Sequence, residues 1–330
     1  MTDASLLVHR GREGWLFLTG GTNFVTTLYQ RDGGHLPDEA LLPWRDVIVE
    51  RERRCHELGA RFAHVVAPEK LTIYGHKQAE PLVDPELAPV IRLAQLFEGD
   101  AGAFGWVDLV TPMREYRDKV DLYWRTDTHW TPIGCLLAYE TLCEAIGLQR
   151  NDELVMRPFR DFKKLMDLGS KLAPQRWEAI REVTWLKDAS RVRENAVVRL
   201  LETPEFGGEI HVGCHATFRN PQAANRCKVV LFGDSFSSAG PYLLTALLAE
   251  TVAELEFVWS ANVDWGFVRR ARPDIVVTQL AERYMALPPN DRFNLRWTEI
   301  RQAMRGRRKR FDAWRRAKMD AWRQGSRKTL

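Results

Sequence analysis

Apolar runs of strand length alternate with runs of helix length along much of the chain, and this alternation limits the fold more than any other feature. The clearest unit is CKVVLFGDSFSSAGPYLLTALLAE, residues 227–250, which reads as a buried strand, a sharp turn of small residues and a helix. ELEFVWS follows as another strand. VDWGFVRRARPDIVVTQLAER then gives a helix, a strand starting near Pro273 and Asp274, and a polar end. Nearer the start, REGWLFLTG reads as a short strand closed by Gly20 and Gly21. Residues 36–59 read as a helix, with Leu41, Leu42, Val47, Ile48 and Leu58 among many charges, and RFAHVVAP as a strand stopped by Pro68. A helix over 85–97 and the strand FGWVDL repeat the pattern. Strands separated by helices at these intervals predict an α/β fold with a mainly parallel sheet and crossover helices. The pattern blurs from about 149 to 226, where strand-like stretches at 198–201 and 210–218 predict a β-rich insertion or lid at about 150–225.

The chain has 330 residues, 45% of them hydrophobic and 28% charged, which is enough for a sizeable core. No run approaches the ~18 apolar residues of a membrane span. MTDASLLVHRGREGWLFL is not written as a secretory signal, so the sequence read alone is cytoplasmic. Five scattered cysteines, Cys55, Cys135, Cys143, Cys214 and Cys227, argue for small buried hydrophobes rather than a disulfide framework. HVGCH at 211–215 holds three candidate ligands, but no second cluster completes a zinc site. No cofactor signature is present. The net charge of +4 is unevenly spread: residues 292–330 carry 14 Lys or Arg against 3 Asp or Glu, and the rest of the chain is net acidic. A body-wide nucleic-acid surface is therefore not indicated.

Two short motifs carry chemistry. GDSFS places Ser235 after a strand and before a helix, at the sheet edge where open α/β folds put their sites. Gly233 allows a tight turn, and turn N–H groups can face developing negative charge. Upstream, DLYWRTDTHWTPIG holds Asp127 and His129 just before a helix start, with Thr131 as N-cap and Pro132 at the first helical position. Ile133, Leu136, Leu137, Tyr139, Leu142 and Ile146 mark that helix's apolar face. A serine hydroxyl is a poor nucleophile until a base takes its proton, and the base needs its other nitrogen held by a carboxylate. Ser235, His129 and Asp127 fit those roles if both motifs lie on strand-to-helix connections at one sheet edge. The plain alternatives are a helix-capping serine, a turn aspartate, and a histidine packed between Trp124 and Trp130. Asp234, directly before the serine, reads as a turn-stabilising residue. Asn262 can donate to an oxyanion or serve its own turn. Arg283 can bind substrate or pair with a carboxylate, and Tyr74 and His76 can line a sugar site or lie on ordinary surface.

In combination these motifs resemble the SGNH-hydrolase-like domain of the alginate O-acetyltransferase family. The resemblance rests on GREGWLFL, APEKLTIYG, RTDTHWTPIG, DFKKLMDLG, VVLFGDSFS and PDIVVTQLAER, in that order, over about residues 9–290. It implies an SGNH-like α/β sandwich over 1–290, flanked by helices. It further implies a triad of Ser235, His129 and Asp127, and transfer of an acetyl group through Ser235 to a carbohydrate hydroxyl of an exopolysaccharide. The acyl donor stays open. The resemblance also implies an extracytoplasmic setting, against the cytoplasmic reading above. Competing classes are a catalytically silent carbohydrate-binding protein and a membrane-associated assembly protein on the same fold.

Residues 291–330 form a separate basic segment. Trp297, Ile300, Met304, Phe311, Trp314 and Trp322 can share one helical stripe, weakened at Gly306. Such a helix can dock on the domain through its aromatic stripe. Alternatively, residues 292–328 can contact an anionic membrane or a polyanion.

Overall fold

The computed structural model describes residues 7–20, 24–30, 36–98, 103–203, 210–240 and 242–326. Its strands are β1 (Val8–Arg10), β2 (Leu16–Leu18), β3 (Arg61–Ala67), β4 (Trp106–Val107), β5 (Phe159–Leu165), β6 (Trp177–Val183), β7 (Ser190–Glu194), β8 (His215–Arg219), β9 (Asn225–Gly233), β10 (Val252–Trp259) and β11 (Ile275–Ala281). Seven of them form one sheet in the order β4-β3-β11-β9-β10-β8-β7. The pairs from β4 through β10 are parallel, and β8 and β7 close the other edge antiparallel. All of β11 and nearly all of β3 are buried, as strands covered by helices on both faces must be. That is why these segments read as continuous apolar runs rather than alternating ones. The shared direction of β3, β11, β9 and β10 brings Ala67, Ala281, Gly233 and Trp259 to one edge of the sheet. The site is built on that edge.

Several local expectations change. The segment 198–201 is not a strand but part of a helix, Ala196–Leu201, because the Asn195 side chain accepts from Val198 N at 3.2 Å and starts a helical turn. The 210–218 strand begins only at His215 and joins β7 on the main sheet, so within the expected insertion only β5 and β6 stand apart, as an antiparallel hairpin. Pro89 takes the first position of a helix Pro89–Gln95 and divides the expected 85–97 helix into two pieces. In the helix Pro132–Ala145, Ile133 is half exposed. The buried face runs through Gly134, Cys135, Ala138, Tyr139, Leu142 and Cys143 instead. Gly21 lies outside the described residues.

Residues Leu295–Ser326 form one long helix. It docks through Leu295, Thr298, Gln302 and Gly306, not through the aromatic stripe, which faces solvent. The Trp322 side chain lies outside the described residues. Among the described residues no helix is long and apolar enough to cross a membrane.

Candidate active site

Asp127 and His129 sit at the tip of a tight loop. Tyr123 and Trp130 bridge its base, and Trp124 N donates to His129 O at 3.2 Å. This loop joins two helices, Val110–Tyr116 and Pro132–Ala145, rather than a strand and a helix as expected. The Thr131 hydroxyl accepts from Gly134 N at 3.1 Å, so the predicted N-cap fixes where the loop ends. The loop's shape is set from outside. Lys70, just past β3, is buried and donates to the carbonyls of Trp124 and Arg125 at 3.0 and 3.1 Å. From β6, Glu178 accepts from the N–H groups of Arg125 and Thr126 at 2.9 and 2.8 Å. Asp167 accepts from Thr128 N and Thr128 Oγ1 at 3.0 and 2.7 Å. The β5–β6 hairpin and the turn within it are therefore part of the site's frame.

Ser235 lies on the turn leaving β9. Gly233 is demanded there by close approach rather than by backbone angle: a Cβ at 233 would meet Ser237 Oγ at 2.8 Å. Ser237 N and Ser238 N both donate to Asp234 O, at 3.1 and 2.9 Å. The Asp234 carboxylate points back to the sheet, accepting from Phe236 N, Gln279 Nε2 and Ala281 N at 2.9, 2.9 and 2.6 Å. It fixes the turn to β11 and does not approach the histidine as a hydrogen-bond partner. The next helix, Leu243–Thr251, begins eight residues after Ser235, so the serine is not on a helix N-terminus. Among the described residues the Ser235 N–H has no acceptor, unlike the other amides of 234–238. It is thus a donor left available to a ligand.

The two motifs meet. His129 Nε2 lies 2.9 Å from Ser235 Oγ, and His129 Nδ1 lies 2.7 Å from Asp127 Oδ1. Asp127 also accepts from His129 N at 2.8 Å and from Asp167 N at 3.2 Å, so both of its oxygens are engaged. Burial raises the Asp127 carboxyl, but hydrogen bonding and the charge of His129 outweigh it and leave the group well below the usual carboxylate range. Burial likewise lowers His129, and the bond and charge of Asp127 outweigh it, holding the imidazole above its ordinary value. The ring rests against Phe236, centroids 4.9 Å apart, with Trp130 edge-on to the same phenyl at 4.9 Å. Asp127, His129 and Asp167 place ligand-type atoms within 4.8 Å of one another. Each of their carboxylate oxygens already accepts at least one N–H or O–H donor, so the set is arranged as a hydrogen-bond network.

Ser235 and His129 open onto a cavity of about 660 Å³. Trp124, Trp130, Trp185, Trp259 and Tyr242 supply much of its wall, with Lys164, Arg181, Glu182 and Glu202 among its polar groups. Flat aromatic faces beside a few polar groups suit a ring that is apolar on its faces and hydroxylated on its edge.

Four other candidates lie elsewhere. Asn262 Oδ1 accepts from Asn290 N and Asp291 N at 2.9 and 3.1 Å, which staples two loops, and the residue does not line the cavity. Tyr74 is buried, stacked on Trp15 with centroids 4.0 Å apart, and its hydroxyl accepts from Leu122 N at 2.8 Å. Arg283 pairs with Glu69, and its guanidinium lies 5.8 Å from the Phe236 ring centre, so it supports the ring under His129. His76 is partly exposed and faces Asp118 at 3.3 Å.

Asn262→Ala is expected to cost about 1 kcal/mol of stability, read by thermal denaturation, because two partly exposed backbone donors lose their protein acceptor. Turnover should be unchanged, whereas loss of an oxyanion donor costs about 10²–10³-fold. Lys70→Met should lower kcat by about 10²-fold, since a loop displaced by about 1 Å misplaces the base. An unchanged kcat would show that Glu178 and Asp167 suffice to hold the loop.

A mainly parallel sheet with Ser, His and Asp gathered at its C-terminal edge fits the SGNH type of acyltransferase and esterase. The family described as "SGNH hydrolase-like domain, acetyltransferase AlgX" matches residues 8–262, and the chain belongs to it. A probable alginate O-acetylase AlgJ of Pseudomonas aeruginosa is 28% identical over 163 residues, covering 47% of this chain and 38% of that protein. A second AlgJ, of Pseudomonas putida, is matched over only 11% of its length, so the chain spans well under two thirds of either relative. Among solved structures, the O-acetyltransferase domain of Pseudomonas putida AlgJ superposes with a TM-score of 0.51 at 18% identity, covering 90% of this chain and 98% of that one. Bacillus cereus PatB1 with a sulfonyl adduct gives 0.58 at 13%, covering 84% and 95%. At these identities the superpositions speak for the fold.

Proposed function

We propose that the protein is a serine-dependent O-acetyltransferase that moves an acetyl group through Ser235 to a carbohydrate hydroxyl, in exopolysaccharide modification. The supporting observation is the relay itself: Ser235 Oγ 2.9 Å from His129 Nε2, with Nδ1 held by Asp127, opening onto an aromatic-walled cavity. Ser235 Oγ attacks the acyl carbonyl as His129 Nε2 takes its proton. Asp127 keeps the ring in the tautomer that offers Nε2 as base, and stabilises the imidazolium. The Ser235 N–H faces the developing oxyanion. Collapse expels the donor's leaving group, which takes the proton from His129. A sugar hydroxyl then attacks the acetyl-Ser235 carbonyl, gives its proton to His129, and departs as the ester while Ser235 Oγ is reprotonated. The AlgJ relatives are named alginate O-acetylases, which makes a polysaccharide the acceptor class to test first.

The test is incubation of the protein with p-nitrophenyl acetate and a panel of neutral and uronic-acid oligosaccharides, read by mass spectrometry. The expected result is an acetylated oligosaccharide. Acetate release at an unchanged rate, with no acetylated sugar for any acceptor, would assign an esterase instead. Saccharide binding without turnover of any acyl ester would assign a non-catalytic binding protein.

A further inference from the structure

We propose that the outer face of the helix Leu295–Ser326 lies on an anionic lipid surface. Among the described residues the helix rests on the body by one face only. Leu295 N donates to the buried Asp264 at 2.8 Å, Glu299 accepts from Ala196 N at 3.2 Å, and a Cβ at Gly306 would meet Leu200 Cδ2 at 2.7 Å. At 100° per residue the buried positions 295, 298, 302 and 306 fall within about 80° of arc. Gly306, a weak point for an isolated helix, is here the point of closest approach.

The opposite face carries the large apolar side chains. Trp297 is 71% exposed, Met304 65%, Phe311 59% and Trp314 57%, with Ile300 and Met319 on the same side. These six span about 140° of arc, centred opposite the docked face, and run for about 33 Å along the axis. An amphipathic helix on a soluble body normally turns its aromatic residues inward. An apolar ridge turned outward marks a contact surface.

Charge selects the partner. Residues 292–330 carry 14 basic and 3 acidic side chains, and Arg301, Arg307, Arg308 and Arg315 are exposed among or beside the apolar ridge. A second copy of the same helix would set like charge against like charge. A polyanion would use the arginines and leave the ridge in water. A leaflet with anionic headgroups engages both, the rings entering the headgroup boundary and the guanidinium groups meeting phosphate. The helix begins beyond residue 262, where the family match ends, and this surface stands independently of the proposed chemistry. The short helix beneath it ends at Leu201, which with Glu202 lines the cavity.

The test is sedimentation of the full chain with phosphatidylcholine vesicles and with mixed phosphatidylcholine–phosphatidylglycerol vesicles. Wild type should pellet with the mixed vesicles, less so as salt rises. Two multiple variants are compared, Trp297→Ser with Phe311→Ser and Trp314→Ser, and Arg301→Gln with Arg307→Gln, Arg308→Gln and Arg315→Gln. Each should weaken binding at least about tenfold. Far-ultraviolet circular dichroism and the thermal melt, unchanged in both, verify folding. The proposal is overturned if wild type does not pellet with the mixed vesicles. It is equally overturned if the serine variant pellets like wild type while heparin still binds, which assigns a polyanion. Self-association abolished by the serine variant, without vesicle binding, would assign a second copy.

Discussion

Ser235→Ala is expected to lower acyl-ester turnover by at least about four orders of magnitude, and His129→Ala by a similar factor. The two act as a unit. Without Oγ no acyl-enzyme forms, and without Nε2 at 2.9 Å the hydroxyl keeps its proton at neutral pH. The double variant should therefore be little worse than either single one. A residual rate is expected in all three, because the Ser235-position N–H and the cavity still bind and polarise an ester attacked by water. Initial rates with p-nitrophenyl acetate measure this. Additive losses would mean that the two residues serve separate steps.

Asp127→Asn should have the second largest effect, about 10⁴-fold in kcat, with the fold intact. The carboxylate accepts from His129 Nδ1 and N through one oxygen and from Asp167 N through the other. An amide has only one acceptor oxygen. If that oxygen faces His129, the NH₂ group opposes the Asp167 N–H. If the amide turns over, it donates to Nδ1, and the ring proton moves to Nε2, where the lone pair is needed. The pH profile separates this from mere misfolding. His129 is a base only when neutral, so kcat/KM in the wild type should be lost as pH falls through a midpoint above the ordinary histidine value of about 6.5. Removing the charge of Asp127 should move the midpoint of the residual activity to lower pH. A midpoint that stays in place would detach Asp127 from His129.

The sheet was legible in the sequence because buried parallel strands leave unbroken apolar runs. VVLF at 229–232 and IVVTQLA at 275–281 could fit little else. The reactive residues were legible because their types and short-range spacing are dictated by local chemistry, a serine in a small-residue turn and an Asp-x-His before a capped helix. What holds them was hidden. Lys70 reaches the Asp127 loop across 54 residues, and Glu178 reaches it across 52, and no periodicity encodes such contacts. The 150–225 region misled for the same reason. Its strands divide between the main sheet and a separate hairpin, and Asn195 turns an apolar run that looked extended into a helix. Asn262 and Tyr74 sit in sequence settings that suit a site, but the Asn262 Oδ1 and the Tyr74 hydroxyl are taken by backbone groups that only the tertiary fold brings near. In the basic helix the aromatic stripe was visible. Its direction was not, because a helical wheel shows that two faces differ and not which one meets the body.

The most direct measurement is intact-protein and peptide mass spectrometry after brief exposure to p-nitrophenyl acetate and acid quench. The expected result is a single acetyl group on the peptide carrying Ser235, absent in Ser235→Ala, and discharged faster when an acceptor sugar is added. Acetyl appearing only on lysines, or equally in wild type and Ser235→Ala while turnover proceeds, would contradict an acetyl-Ser235 intermediate.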